Sequence, residues 1–141
     1  MEKKAEYQLS SSMNEGILEI IITGELVVSA YEKITNEVSA ITKANGVEKA
    51  LVDVRALNGC LGIAVVYDRV RDYSQHMYKI HFAIVDIPGN DRYKTFHEYT
   101  LMKAGMRVKW FTDIDAARDW LNGKLDIPWV NMASFDECVL S

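Results

Sequence analysis

Cysteine is scarce in this chain: there are two in 141 residues, Cys60 and Cys138, far apart and in no metal-ligand spacing. Two thiols could in principle close a disulfide. The start, Met1-Glu2-Lys3-Lys4, leads into polar residues and not into the apolar stretch of a secretory signal, so a cytoplasmic protein with reduced thiols is expected. His76, His81 and His97 make no ligand motif with the cysteines, and neither a metal nor another cofactor is expected. Long apolar runs are missing as well. Ile20-Ile21-Ile22 and Ile63 to Tyr67 are far too short to cross a bilayer, which excludes an integral membrane segment. An excess of basic charge is also lacking. Sixteen Lys and Arg stand against twenty Asp and Glu, for a formal net charge of -4. Arg69 and Arg71 are interleaved with Asp68 and Asp72, so general nucleic-acid binding is not expected.

What remains is ordinary globular material. A hydrophobic fraction of 49% and a charged fraction of 26% suit one domain with a real core, and the length leaves little room for a second. We expect a single domain over 1–141, with its core at about 7–122 and a C-terminal extension over 123–141.

Tyr7 to Ser12 and Ile17 to Thr23 read as two strands around the turn Asn14-Glu15-Gly16. A helix follows, with Ser29 and Glu32 as a capping box and an apolar stripe of Tyr31, Ile34, Val38 and Ile41, stopped by Gly46. Lys49 to Val54 reads as a strand buried on both faces, followed by a loop from Arg55 to Leu61. A second helix is expected from about Gly62 to His76, then a strand from Ile80 to Ile87 closed by Pro88-Gly89-Asn90. A third helix should run from Asp91 to Ala104, with Tyr93, Phe96 and Thr100 inward, and a last strand from Met106 to Phe111. Thr112 is expected to cap a short fourth helix packed through Ala116, Ala117, Trp120 and Leu121. An opening hairpin followed by right-handed crossovers predicts an α/β domain with a mixed, mostly parallel sheet and about four helices.

This order resembles the STAS domain, in its SpoIIAA-like branch. The resemblance is carried by Ile20-Ile21-Ile22-Thr23-Gly24-Glu25-Leu26, by Leu51-Val52-Asp53-Val54, and by the ending from Trp110 to Leu121. It implies a sheet with helices on one side, in a regulatory or protein-interaction module without catalysis. In the anti-sigma-factor antagonists of this family, a Ser at the start of the second helix is phosphorylated. The matching loop here, Leu57-Asn58-Gly59-Cys60-Leu61-Gly62, has no Ser or Thr, so a phosphoswitch is not expected. The branch also resembles the CRAL-TRIO lipid-transfer domains, which implies a lipid-like apolar ligand as the alternative function.

Two candidate sites follow. The first is a partner- or ligand-binding loop of Asp53, Asn58, Gly59, Cys60 and Gly62, at the carboxyl end of a parallel strand and before a helix N-terminus. Its plain alternative is a tight strand-to-helix turn, and Cys60 reads more readily as a small buried hydrophobe than as a nucleophile. The second is an apolar pocket at Tyr67, Val70, Tyr93 and Phe96, whose plain alternative is a tyrosine-rich core. Asp86 or Glu98 could join the histidines in a metal or proton-transfer site, but the irregular spacing argues against metal ligation. Asp113 and Asp115 are explained by helix capping. The expected partners are another protein or a second copy of the chain, with the apolar tail from Trp129 to Val139 as a cover for a homodimer, or a small apolar ligand.

Overall fold

A computed structural model describes residues 7–59, 75–89 and 91–123, with the backbone alone at 28, 91–94 and 96. Strands β1 (Tyr7–Asn14) and β2 (Ile17–Glu25) form the opening hairpin. Glu15 and Gly16, the two loop residues, both take positive φ (51° and 85°), the pattern of the tight turn that matches the twist of the flanking strands. Helix α1 (Val28–Asn45), strand β3 (Lys49–Asn58), a 3₁₀ turn (Gln75–Lys79) and strand β4 (His81–Val85) follow. Helix α2 (Asp91–Lys103), strand β5 (Arg107–Phe111) and helix α3 (Ile114–Leu121) complete the described residues. The expected helix from Gly62 to His76 falls almost entirely on 60–74, outside the described residues. His76 itself sits in the 3₁₀ turn.

The five strands stand side by side in sequence order, β1 antiparallel to β2 and the others parallel. This is the mixed, mostly parallel sheet that the order of elements predicts. Period-two alternation divides its side chains between two cores. Leu18, Ile20, Ile22, Ala50, Val52, Phe82 and Val108 face α1 and α2, where Tyr31, Ile34, Val38 and Leu101 close over them. Ile17, Leu51, Ala83, Val85 and Phe111 face the other way and are covered by Ala117 and Leu121 of α3. Helices therefore cover both faces, not one. The unbroken apolar stretch Ala50-Leu51-Val52 requires it, because each face of a parallel strand must be sealed from water.

Three local expectations are corrected. Helix α1 begins one residue before Ser29, and its N-cap is Val27, in extended backbone with no side-chain cap. Strand β3 runs on through the expected loop as far as Asn58. Between the pairs Ile21↔Asp53 and Thr23↔Ala56 the register slips by one residue on β3, a bulge that lets Ala56, Leu57 and Asn58 go on pairing with β2. The cap of α3 is Asp113, whose carboxylate accepts the Asp115 N–H at 3.0 Å, and not Thr112.

The two edges of the sheet differ. β1 is an open edge. At the other end, α2 turns the buried Glu98 towards β5, and its carboxylate accepts the Trp110 backbone N–H at 2.7 Å while lying 3.5 Å from the buried Lys109 ammonium. A carboxylate thus occupies a donor position that would otherwise be open to another strand.

Candidate functional site

The carboxyl ends of β3, β4 and β5 converge on one space between α1 and α2. Because Ile84 and Asp86 lie two apart, both belong to the face that also carries Phe82. Trp110 stands beside Ile84 in the β4–β5 register. Val52 and Val54 come from β3, and Tyr31, Ile34, Thr35 and Val38 from the first half of α1. His97 and Leu101 come from α2, one turn apart. These side chains line a cavity of about 160 Å³, with Leu57 and Gly59 at the end of β3 also in its wall. The wall is overwhelmingly apolar.

Its polar groups gather at one end. The Trp110 indole N–H points to Asp86 Oδ2 at 3.4 Å, and Asp86 Oδ1 accepts the Ile87 N–H at 2.8 Å. The His97 imidazole lies against the Trp110 ring with centroids 4.9 Å apart and planes tilted by 39°. Its Nδ1 is enclosed away from solvent. Burial pushes the imidazole down to about 4, because a charged ring would lose its hydration there. At neutral pH the ring is uncharged.

The expected loop residues divide. Asp53 is buried on the opposite face of the sheet, held by Arg55 through Nε to Oδ1 at 3.0 Å and Nη2 to Oδ2 at 2.7 Å. Those bonds keep its carboxyl below the usual carboxylate range against the opposing effect of burial. It does not reach the cavity. Asn58 accepts the Leu26 N–H through its carbonyl at 2.7 Å, tying the end of β3 to the start of α1. Gly59 has φ 109°, and a Cβ there would stand 2.8 Å from the Leu26 carbonyl oxygen, so glycine is required by the turn itself. Cys60 and Gly62 lie outside the described residues, as do Tyr67 and Val70. Tyr93 and Phe96 belong to α2, in the turn leading to His97, with their side chains outside the description.

The three histidines do not meet. His76 Nε2 sits 3.1 Å from Thr42 Oγ1 and 3.0 Å from the Ser39 carbonyl, fastening the 3₁₀ turn to α1. His81 meets Trp120 edge-on at 6.1 Å, on the face covered by α3. Only His97 joins an acid of the candidate set, Asp86, in the cavity wall. Among the described residues no three His, Cys, Asp or Glu side chains are placed to hold a metal ion. On the α3 face, Arg118 grips Glu19 with Nε at 2.8 Å and Nη2 at 3.0 Å, which lowers the Glu19 carboxyl and pins α3 to β2. This ion pair is architectural.

Trp110, Ile84 and the α1 stripe also line the cavity, although the sequence marks them only as strand residues and as the buried stripe of a helix. The available signal was the spacing Phe82, Ile84, Asp86, a carboxylate in phase with two apolar residues on one sheet face.

No protein-family model matches the chain, and no curated protein matches it. Solved structures do. An anti-sigma factor antagonist from Mycobacterium paratuberculosis superposes with a TM-score of 0.57 at 14% identity, covering 82% of this chain and 94% of that one. A DUF3478-family protein with a SpoIIAA-like fold, from Shewanella loihica PV-4, gives 0.55 at 21% identity, covering 86% and 98%. The chain has the STAS, SpoIIAA-like fold.

Proposed function

We propose that this chain is a non-catalytic binding module that takes a small apolar molecule into the cavity between α1 and α2, as a carrier or sensor. The observation that carries the reading is the cavity itself: about 160 Å³ of space walled by Ile34, Val52, Phe82, Ile84, Leu101 and Trp110, with Asp86 and His97 in the same wall. Ligand sites have this composition, a mostly apolar surface with a few placed polar groups. The position agrees with it, since parallel α/β sheets bind ligands beyond the carboxyl ends of their strands.

A second reading is favoured by one specific observation, the likeness to an anti-sigma factor antagonist, a protein named for acting against another protein. In that reading the chain is a protein-interaction module acting through the end of β3 at Asn58 and Gly59. The loop sequence 57–62 contains no Ser or Thr, so its switch would not be phosphorylation there. The two readings join if filling the cavity alters the neighbouring surface that a partner meets.

Native mass spectrometry of the full chain, purified gently from its own cells, separates them. The carrier reading expects a subunit heavier than the sequence by a few hundred daltons or less, with the extra mass released on mild activation. A bare subunit bound stoichiometrically to another protein would reject it in favour of the interaction module.

A further inference from the structure

We infer that the cavity selects an uncharged single-ring molecule bearing one hydrogen-bond donor, of the phenol class, and rejects carboxylate ligands such as fatty acids. The inference rests on the cavity being the binding site, and goes beyond it by fixing the size, shape and charge of the occupant.

Size comes first. A dry apolar cavity of roughly 150 Å³ accommodates benzene. At about 160 Å³ this space holds one ring and a small substituent, and most of a long acyl chain would have to lie outside it. Shape is set by the wall, where Tyr31, Phe82 and Trp110 offer ring surfaces that favour offset or edge-on packing of another ring. Charge is decided by what the wall lacks and what it has. Among its described residues there is no Lys or Arg, and the one charged group is the Asp86 carboxylate. His97 supplies no positive charge near neutrality, because its ring stays unprotonated down to about pH 4. An anionic ligand would lose its hydration, meet the like charge of Asp86 and find no counter-charge among the described residues. A neutral hydroxyl meets the opposite situation. Each carboxylate oxygen has two acceptor positions, so Asp86 can take a ligand donor in addition to the Trp110 indole and the Ile87 N–H.

The test is calorimetric titration of the full chain at pH 7 with phenol, benzoate and decanoate. Phenol and benzoate share a ring and differ in charge; decanoate carries the same charge on a chain. Phenol is expected to bind, with benzoate roughly a hundredfold weaker and decanoate weaker still. In Asp86→Asn, benzoate should recover to within about tenfold of phenol, because the like charge has gone. The wild-type comparison stands even if that variant folds poorly. Benzoate or decanoate binding as well as phenol would overturn the inference while leaving the cavity a binding site. Failure of all three to bind would overturn the inference too, and would leave the carrier reading to be judged by native mass spectrometry alone.

Discussion

Replacing His97 with leucine should remove a specific slice of acid sensitivity from this protein. In the folded chain the imidazole is pushed down to about 4 by burial against Trp110, while in the unfolded chain it titrates near its ordinary 6.5. Between those values the unfolded state binds a proton that the folded state refuses. Stability from this group is therefore complete above about pH 6.5 and is lost progressively as the pH falls towards 4. The full span corresponds to about 3 kcal/mol. Other groups titrate in the same window. Burial raises the Glu98 carboxyl, which works in the opposite sense by making the folded state more stable on acidification. Burial and the nearby Arg107 lower His81, which works in the same sense as His97. The difference between wild type and His97→Leu cancels these shared terms. Urea unfolding at intervals from pH 7 to pH 4 measures it. The wild type should lose about 3 kcal/mol relative to the variant over that range. Parallel stability curves would mean that water reaches the ring, and the buried, uncharged state of His97 would be refuted.

Three further perturbations probe the frame that holds the cavity. Gly59→Ala places a Cβ 2.8 Å from the Leu26 carbonyl in a left-handed backbone, and should cost roughly 2 kcal/mol by urea unfolding; an unchanged midpoint would contradict the turn as described. Glu98→Ala removes the acceptor of the Trp110 N–H and the carboxylate beside buried Lys109, with an expected loss of about 3 kcal/mol. Loss of under about 1 kcal/mol would show that the edge of β5 is solvated. Asp113→Ala should destabilise by about 1 kcal/mol and Thr112→Ala by almost nothing, and the reverse order would return the cap to Thr112.

The fold was legible where burial leaves a period. The strand expected from Ile17 to Thr23 buries Leu18, Ile20 and Ile22, and in the helical stripe Tyr31, Ile34 and Val38 are buried while Ile41 is partly so. Order alone then fixed the mixed sheet. Boundaries were less legible, because they depend on partners distant in sequence. β3 continues to Asn58 because β2 supplies hydrogen-bonding positions beyond a bulge, and nothing in Arg55-Ala56-Leu57 announces that. The N-cap of α1 went to Val27 although Ser29 and Glu32 carry the local signature of a box, so tertiary placement of the chain leaving β2 outweighed a local preference of about 1 kcal/mol.

The site was partly legible. Asp86 and His97 were singled out as titratable groups, and Gly59 as a backbone approach, yet their common destination was not readable from spacing of 11 and 27 residues. Asp53 looked exposed to function because it ends an apolar run, but the period of two sends it to the α3 face, where Arg55 folds back on it. Among the described residues, the ring-lined cavity itself is a gap between α1 and α2 over β3 and β4. A gap between helices leaves no pattern in either helix, since its lining residues are the same types that would fill a solid core.

The most direct test of the account is crystallography of the chain under xenon pressure. Xenon enters dry apolar cavities of about this size and avoids filled cores and wet polar clefts. The account predicts a well-occupied xenon atom between α1 and α2, in contact with Ile34, Val52, Phe82 and Trp110. Side chains packed solidly through that space, with no xenon bound, would contradict it.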